Sequence, residues 1–182
     1  MAAASAGLLL HRRGPAGPEV LIAHMGGPFW ARKDEGAWSI PKGLFEDGEA
    51  ALAVALREFE EELGSPPPAG EPVELGEFRQ PGGKVVTVFV LEGDLDVTEI
   101  RSNHFEMEWP RGSGRTGSFP GMDRAEWVPP EVARAKVVKG QIPGIAAFVP
   151  DAAATAPRPP RPPPRPRPAP TPPRGWRRPA RG

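Results

Sequence analysis

The sequence predicts an α/β or α+β domain ending near residue 149, followed by a tail that has no core. Three observations carry this expectation. Strand-like apolar runs alternate with helical patterns from Ser5 to Val149, residues 48–64 hold a helical apolar stripe, and composition changes abruptly at Pro150. From Pro150 to Gly182, thirteen of 33 residues are proline and eight arginines face a single aspartate, whereas residues 1–149 carry fifteen basic and twenty-two acidic side chains. A net charge of zero thus hides an acidic body and a basic tail. Few large apolar side chains among so many prolines prevent core burial and favour polyproline or disordered chain. The expected organisation is a domain over 1–149 and a disordered Pro/Arg-rich tail over 150–182.

The elements follow in order. Ser5 to His11 reads as a first strand, because Leu8-Leu9-Leu10 is a short apolar run. Val20-Leu21-Ile22-Ala23 is a second, and the Gly/Pro cluster from Arg13 to Pro18 between them signals a hairpin loop. Gly26 to Gly36 is a loop rich in Gly, Trp, Arg and Lys, and Trp38 to Lys42 approaches Gly43 in strand-like fashion. A helix begins near Gly48, with Leu52, Leu56, Phe59 and Leu63 stacked in one stripe. Glu74 to Phe78 and Val85 to Leu91 are strands, the second apolar throughout as a central strand should be. Trp127-Val128 closes another strand, and Val132 to Val138 forms a last helix behind Pro129-Pro130.

Composition narrows the setting. The chain has no cysteine and so no disulfide, which suits a cytoplasmic protein. No apolar stretch reaches membrane-spanning length, and the small apolar start, Met1 to Leu10, lacks the basic residues of a signal peptide. His11, His24 and His104 are scattered without zinc spacing, and neither a P-loop nor a dinucleotide fingerprint is present. The tail reads as a solvated appendage, a ligand for a proline-binding domain or an electrostatic patch. A frameshift or read-through soon after Gly140 would give the same composition. No specific nucleic-acid partner is expected, and the tail's own partner stays open.

The predicted helix carries the chemistry. At about 100° per residue, Glu58, Glu61 and Glu62 average about 140° round from the stripe, toward a cleft. Like charges at this spacing repel, and a hard divalent cation such as Mg²⁺ or Mn²⁺ would reverse that. A solvated acidic face is the plain alternative. Against it stands the register of the surrounding residues: Gly43, Glu49, Arg57, Glu58, Phe59, Glu61, Glu62 and Gly64.

That register resembles the Nudix box, G-x5-E-x7-R-E-U-x-E-E-x-G-U, where U is aliphatic. Phe59 and Ser65 stand where aliphatics are usual. The resemblance covers roughly residues 5 to 145 and implies an α/β/α sandwich around a mixed β-sheet. It implies a metal-dependent pyrophosphohydrolase with Glu58, Glu61, Glu62 and the Lys42 carbonyl as ligands, Glu58 also as general base, Arg57 orienting it, and Glu49 as the structural partner of Arg57. Glu106, Glu108 and Asp123 form the pool for a further ligand or loop base. Trp38-Ser39-Ile40-Pro41-Lys42-Gly43 resembles the W-x-x-P-K-G lead-in of dinucleoside polyphosphate hydrolases in that family. A nucleotide polyphosphate is therefore the expected substrate, with Arg32, Lys33, Lys42 and Lys84 steering phosphates and Trp30 or Phe29 stacking on a base. The alternatives are a nucleoside triphosphate pyrophosphatase that removes oxidised nucleotides, a non-catalytic nucleotide sensor, and an adaptor acting through the tail.

Overall fold

The computed structural model describes residues 4–46 and 48–150, so the tail and the expectation attached to it lie outside the described residues. Strands β1 (Ala4–Gly14) and β2 (Gly17–Met25) form the foreseen hairpin, pairing antiparallel from Gly14↔Gly17 to His11↔Val20. Their apolar runs are buried to 0% exposure at Leu8, Leu9, Leu10, Val20, Leu21 and Ile22, because both faces of the sheet are covered.

Farther from the turn, β1 and β2 each take a different partner. The chain from Trp38 to Leu44 lies along both: β3 (Trp38–Ser39) pairs with β2, and β4 (Lys42–Leu44) pairs with β1 through Gly7↔Lys42, Ala6↔Gly43 and Ser5↔Leu44. The single strand-like run expected here is thus two short strands. Ile40-Pro41 makes the crossing, where proline has no N–H to give to a ladder.

On the other side of β1, β6 (Val85–Glu92) runs parallel to it from Ala4↔Val85 to His11↔Glu92, and antiparallel to β5 (Val73–Arg79). The apolar run of β6 is central, as its composition indicated. A two-stranded sheet, β7 (His104–Glu108) with β8 (Thr116–Pro120), was not foreseen, because its residues are largely exposed and polar. β9 (Met122–Val128) pairs with β2 and begins well before Trp127. Asp123, Arg124 and Glu126 hid it, because Met122, Ala125 and Val128 alone carry the buried side.

Helix α1 (Ala51–Leu63) covers one face of the main sheet, where Val54, Ala55, Phe59 and Leu63 pack with Ala6, Leu8, Leu10, Leu21 and Phe89. The other face holds α2 (Pro130–Lys136), a short 3₁₀ turn at Lys139–Gln141 and α3 (Ile142–Ala147), packed around Leu9, Val20, Trp38, Ile40 and Val88. The result is the expected α/β/α sandwich with a mixed sheet. The helix expected over Val132 to Val138 is α2, which starts and ends two residues earlier, and α3, the last helix, is too short for periodicity to reveal.

Two details of α1 correct the sequence reading. The helix starts at Ala51, not near Gly48, because Glu49 first folds back, its carboxylate accepting from the Glu46 N–H at 2.8 Å. Its buried arc is also displaced: Val54 and Ala55 are fully buried, whereas Leu52 and Leu56 are only partly so. The helix rests on β4 as well as β1, and the cleft expected beside Glu58 and Glu62 is walled by the Lys42–Gly43 backbone.

Candidate metal centre

Gly43 and Glu58 meet at the seam between α1 and β4. A Cβ on Gly43 would lie 1.9 Å from the Glu58 carboxyl carbon, so the carboxylate occupies the space any other side chain would need. One turn later Glu62 accepts from the Lys42 N–H at 3.0 Å. Burial pushes the Glu62 carboxyl up to about 8, against the pull of the Lys42 N–H and charge. Glu61 is the most exposed of the three, with 43% of its side chain accessible against 13% for Glu58.

Arg57 ties this group together. Its Nε and Nη2 donate to the two oxygens of Glu49 at 3.1 and 3.0 Å, a bidentate fork, while Nη1 donates to Glu58 at 2.8 Å and reaches Glu61 at 3.4 Å. Nη2 also donates to the Leu44 carbonyl at 3.3 Å. Hydrogen bonds donated to Glu49, then to Glu58, raise the guanidinium above its ordinary value, and Arg57 in turn holds the Glu49 carboxyl below its own. One cation therefore serves three carboxylates, and Glu62 has only a backbone donor. Among the described residues no three acidic or histidine side chains already converge on one point. The donor set still fits a hard divalent ion: carboxylate oxygens on one flank, a glycine that lets one of them touch backbone, and a buried carboxyl short of positive charge.

The other candidates lie on separate segments. Lys42 is half-buried in β4, and Lys84 is exposed in the turn before β6, next to the start of β1. Arg32 and Lys33 are exposed on the 26–36 loop, with the Lys33 ammonium 4.9 Å above the Trp30 ring. Trp30 is partly sealed against the second core, so Phe29 is the more open ring, although Trp109 meets it edge-on at 5.2 Å. Trp38 is fully buried, not a stacking surface. Its Nε1 donates to Asp34 at 2.9 Å, and Arg124 and Lys136 lie over the ring at 5.0 and 4.6 Å. This tryptophan anchors the 26–36 loop to the strand that leads to Lys42.

The downstream acids go elsewhere. Asp123 pairs with the buried His24 at 2.8 Å, whose other ring nitrogen donates to the Lys33 carbonyl at 2.8 Å. Glu106 is exposed on β7, and Glu108 accepts from the Gly114 N–H at 2.6 Å. Sequence reasoning missed Asp34, Lys136 and Asn103, whose backbone N–H donates to the Glu61 carbonyl at 2.9 Å and seats the β7–β8 sheet beside the helix end. Nothing in their local patterns marks these contacts, because each joins distant parts of the chain.

A family model described as NUDIX domain matches residues 1–148. No curated protein matches significantly. Among solved structures, the NUDIX domain of Shewanella oneidensis NrtR complexed with ADP ribose aligns at TM-score 0.54 and 15% identity, covering 81% of this chain and 86% of that one. A C. elegans Ap4A hydrolase in binary complex aligns at TM-score 0.52 and 18% identity, covering 80% and 94%. A NUDIX hydrolase from Nitrosomonas europaea aligns at TM-score 0.53 and 14% identity, covering 80% and 86%. At these identities the likeness is one of fold.

Gly64 offers a structural test of the helix end. It caps α1 in the left-handed region at φ 74°, and a Cβ there would lie 2.5 Å from the Arg101 carbonyl. Gly64→Ala should lower stability by about 1–3 kcal/mol, read by denaturant melts.

Proposed function

The chain belongs to the Nudix family and is a hydrolase acting on phosphoanhydride bonds, and from that premise we propose that it is a divalent-metal-dependent pyrophosphohydrolase cleaving dinucleoside polyphosphates. The observation that carries the reading is the seam itself, where Glu58 and Glu62 of one helix close on Gly43 and the Lys42 N–H while Arg57 is locked by Glu49.

Glu58, Glu61 and Glu62, with the Lys42 carbonyl, would hold Mg²⁺ or Mn²⁺. When bound, such an ion neutralises phosphate oxygens and makes a coordinated water more acidic. Glu58 takes the proton from the attacking water, and its contact with Arg57 keeps one carboxylate oxygen turned away from that role. Glu49 keeps Arg57 from swinging. Lys42 contacts the polyphosphate, with Lys84, Arg32 and Lys33 raising the local concentration of an anionic substrate over an acidic body. Phe29 is the better placed ring for base stacking and Trp30 the lesser one, given their exposures. Asp123 is the weakest of the downstream acids for a loop base because His24 already occupies it.

The dinucleoside preference rests on the Trp38 to Gly43 lead-in. The runner-up is a nucleoside triphosphate pyrophosphatase. We place the catalytic unit within residues 1–149: among the described residues Phe148, 8% exposed, is the last in the core, and Val149 is 80% exposed. The cytoplasm is the proposed compartment of this cysteine-free chain. Among the described residues no helix is long and apolar enough to cross a membrane.

Glu58→Gln keeps the shape of the side chain and removes its basicity. It should lower kcat by about 10²-fold to 10⁴-fold without lowering the melting temperature of the metal-free protein, since a like charge is removed from α1. Steady-state kinetics and thermal melts check both parts. For the substrate, kcat/KM with Mg²⁺ should be higher for diadenosine tetraphosphate than for ATP, and Lys42→Ala should narrow the gap. A preference for one oxidised nucleoside triphosphate would promote the runner-up instead.

A further inference from the structure

The crossing from β3 to β4 contains a backbone donor that neither neighbouring strand receives. Trp38 and Ser39 pair with β2 and the chain from Lys42 pairs with β1, while the Pro41 carbonyl accepts from the Leu8 N–H at 3.1 Å. The Ile40 N–H goes to a side chain a hundred residues away: it donates to Gln141 Oε1 at 2.8 Å. The same amide, through Nε2, donates to Ser39 Oγ at 2.7 Å, and that hydroxyl donates to the Ile40 carbonyl at 2.7 Å. Gln141 is 4% exposed, and Ser39 and Ile40 are each 2% exposed, so this ring of bonds is closed to water. Gln141 belongs to the 3₁₀ turn between α2 and α3, on the face of the sheet opposite α1. That turn is itself seated, since a Cβ on Gly140 would meet Pro81 Cδ at 3.0 Å and Gln80 Cδ at 3.1 Å.

We propose that Gln141 is a positioning residue for the hydrolytic reaction: it fixes the Ser39–Ile40 backbone from the far layer so that Lys42 and Gly43 meet Glu62 and Glu58 from the near one. The inference rests on the reading of Lys42–Gly43 as one wall of the cation site. The Val138 N–H already holds the Trp38 carbonyl at 2.9 Å from the far layer, and the Gln141 amide, with donor and acceptor spent on the next two residues, extends that hold into the crossing, where apolar packing would not set the position of the strand along its axis. The crossing is where slip would do most harm. Between the Ser39 and Lys42 pairings the crossing has one backbone bond to a strand, at the Pro41 carbonyl, and none at the Ile40 N–H; two residues later the contacts with the carboxylates are set by single atoms.

Gln141→Met keeps the side-chain volume and removes the amide. Phe148→Leu is the control, a core change in the same layer that leaves the crossing untouched. Calorimetric titration of each protein with Mn²⁺, well below its melting temperature, is paired with kcat and KM. Gln141→Met should weaken Mn²⁺ binding by about 10-fold to 100-fold and lower kcat by up to about 10²-fold with KM changed little. Phe148→Leu should lose thermal stability alone. Wild-type Mn²⁺ affinity and kcat in Gln141→Met, with only its melting temperature reduced, would overturn the proposal. Should that variant fail to fold, Ser39→Ala decides, since it removes the two bonds made by the hydroxyl and leaves the Ile40 N–H bond to Gln141: a smaller loss of Mn²⁺ affinity supports it and an unchanged affinity overturns it. A wild-type protein that binds no Mn²⁺ would instead remove the reading on which the proposal rests.

Discussion

The contact between the Glu58 carboxylate and the bare Cα of Gly43 constrains much of the rest of the structure. It demands glycine at one point of β4, and it brings a carboxylate against backbone where burial makes charge costly. For the contact to form, α1 must lie low over the sheet, which requires the small and branched residues Ala55 and Val54 beneath it. β4 must also sit beside β1, which it does because β1 and β2 pair with each other only near their turn.

Electrostatics then set what this arrangement can do. Arg57 is committed to Glu49 by a two-pronged contact and shares one nitrogen with Glu58 and Glu61, so local charge compensation is incomplete. Burial is the main reason the Glu62 carboxyl is pushed up to about 8, and the repulsion of Glu58 and Glu61 adds to it. A divalent ion relieves it in a way that a further lysine, with its single charge and long stem, would not. Metal dependence and the acidic helix are therefore two expressions of one charge deficit.

Much of this was legible in the residues. The 43–64 register marked the carboxylates, the arginine and both glycines, because those contacts recur at fixed spacing along one helix and its lead-in. The β1–β2 hairpin and the central β6 were legible from apolar runs bounded by Gly and Pro. What stayed hidden depends on distant pairing. The wall facing the acidic flank of α1 is β4, which no helical wheel records. Trp38 looked like part of a substrate signature and is a buried anchor, held through Asp34, Arg124 and Lys136 from three separate segments. Gln141 gives no local signal at all, since its partners lie a hundred residues upstream.

The central claim is that the cation site lies at the α1–β4 seam, and paramagnetic broadening by Mn²⁺ tests it most directly. In a ¹⁵N-labelled protein titrated with substoichiometric Mn²⁺, the amides of Lys42, Gly43 and Glu58 to Glu62 should broaden first, with Gly93 at the far end of β6 unaffected. Broadening centred on Asp123, on the β7–β8 sheet or on Asp94 would contradict the account.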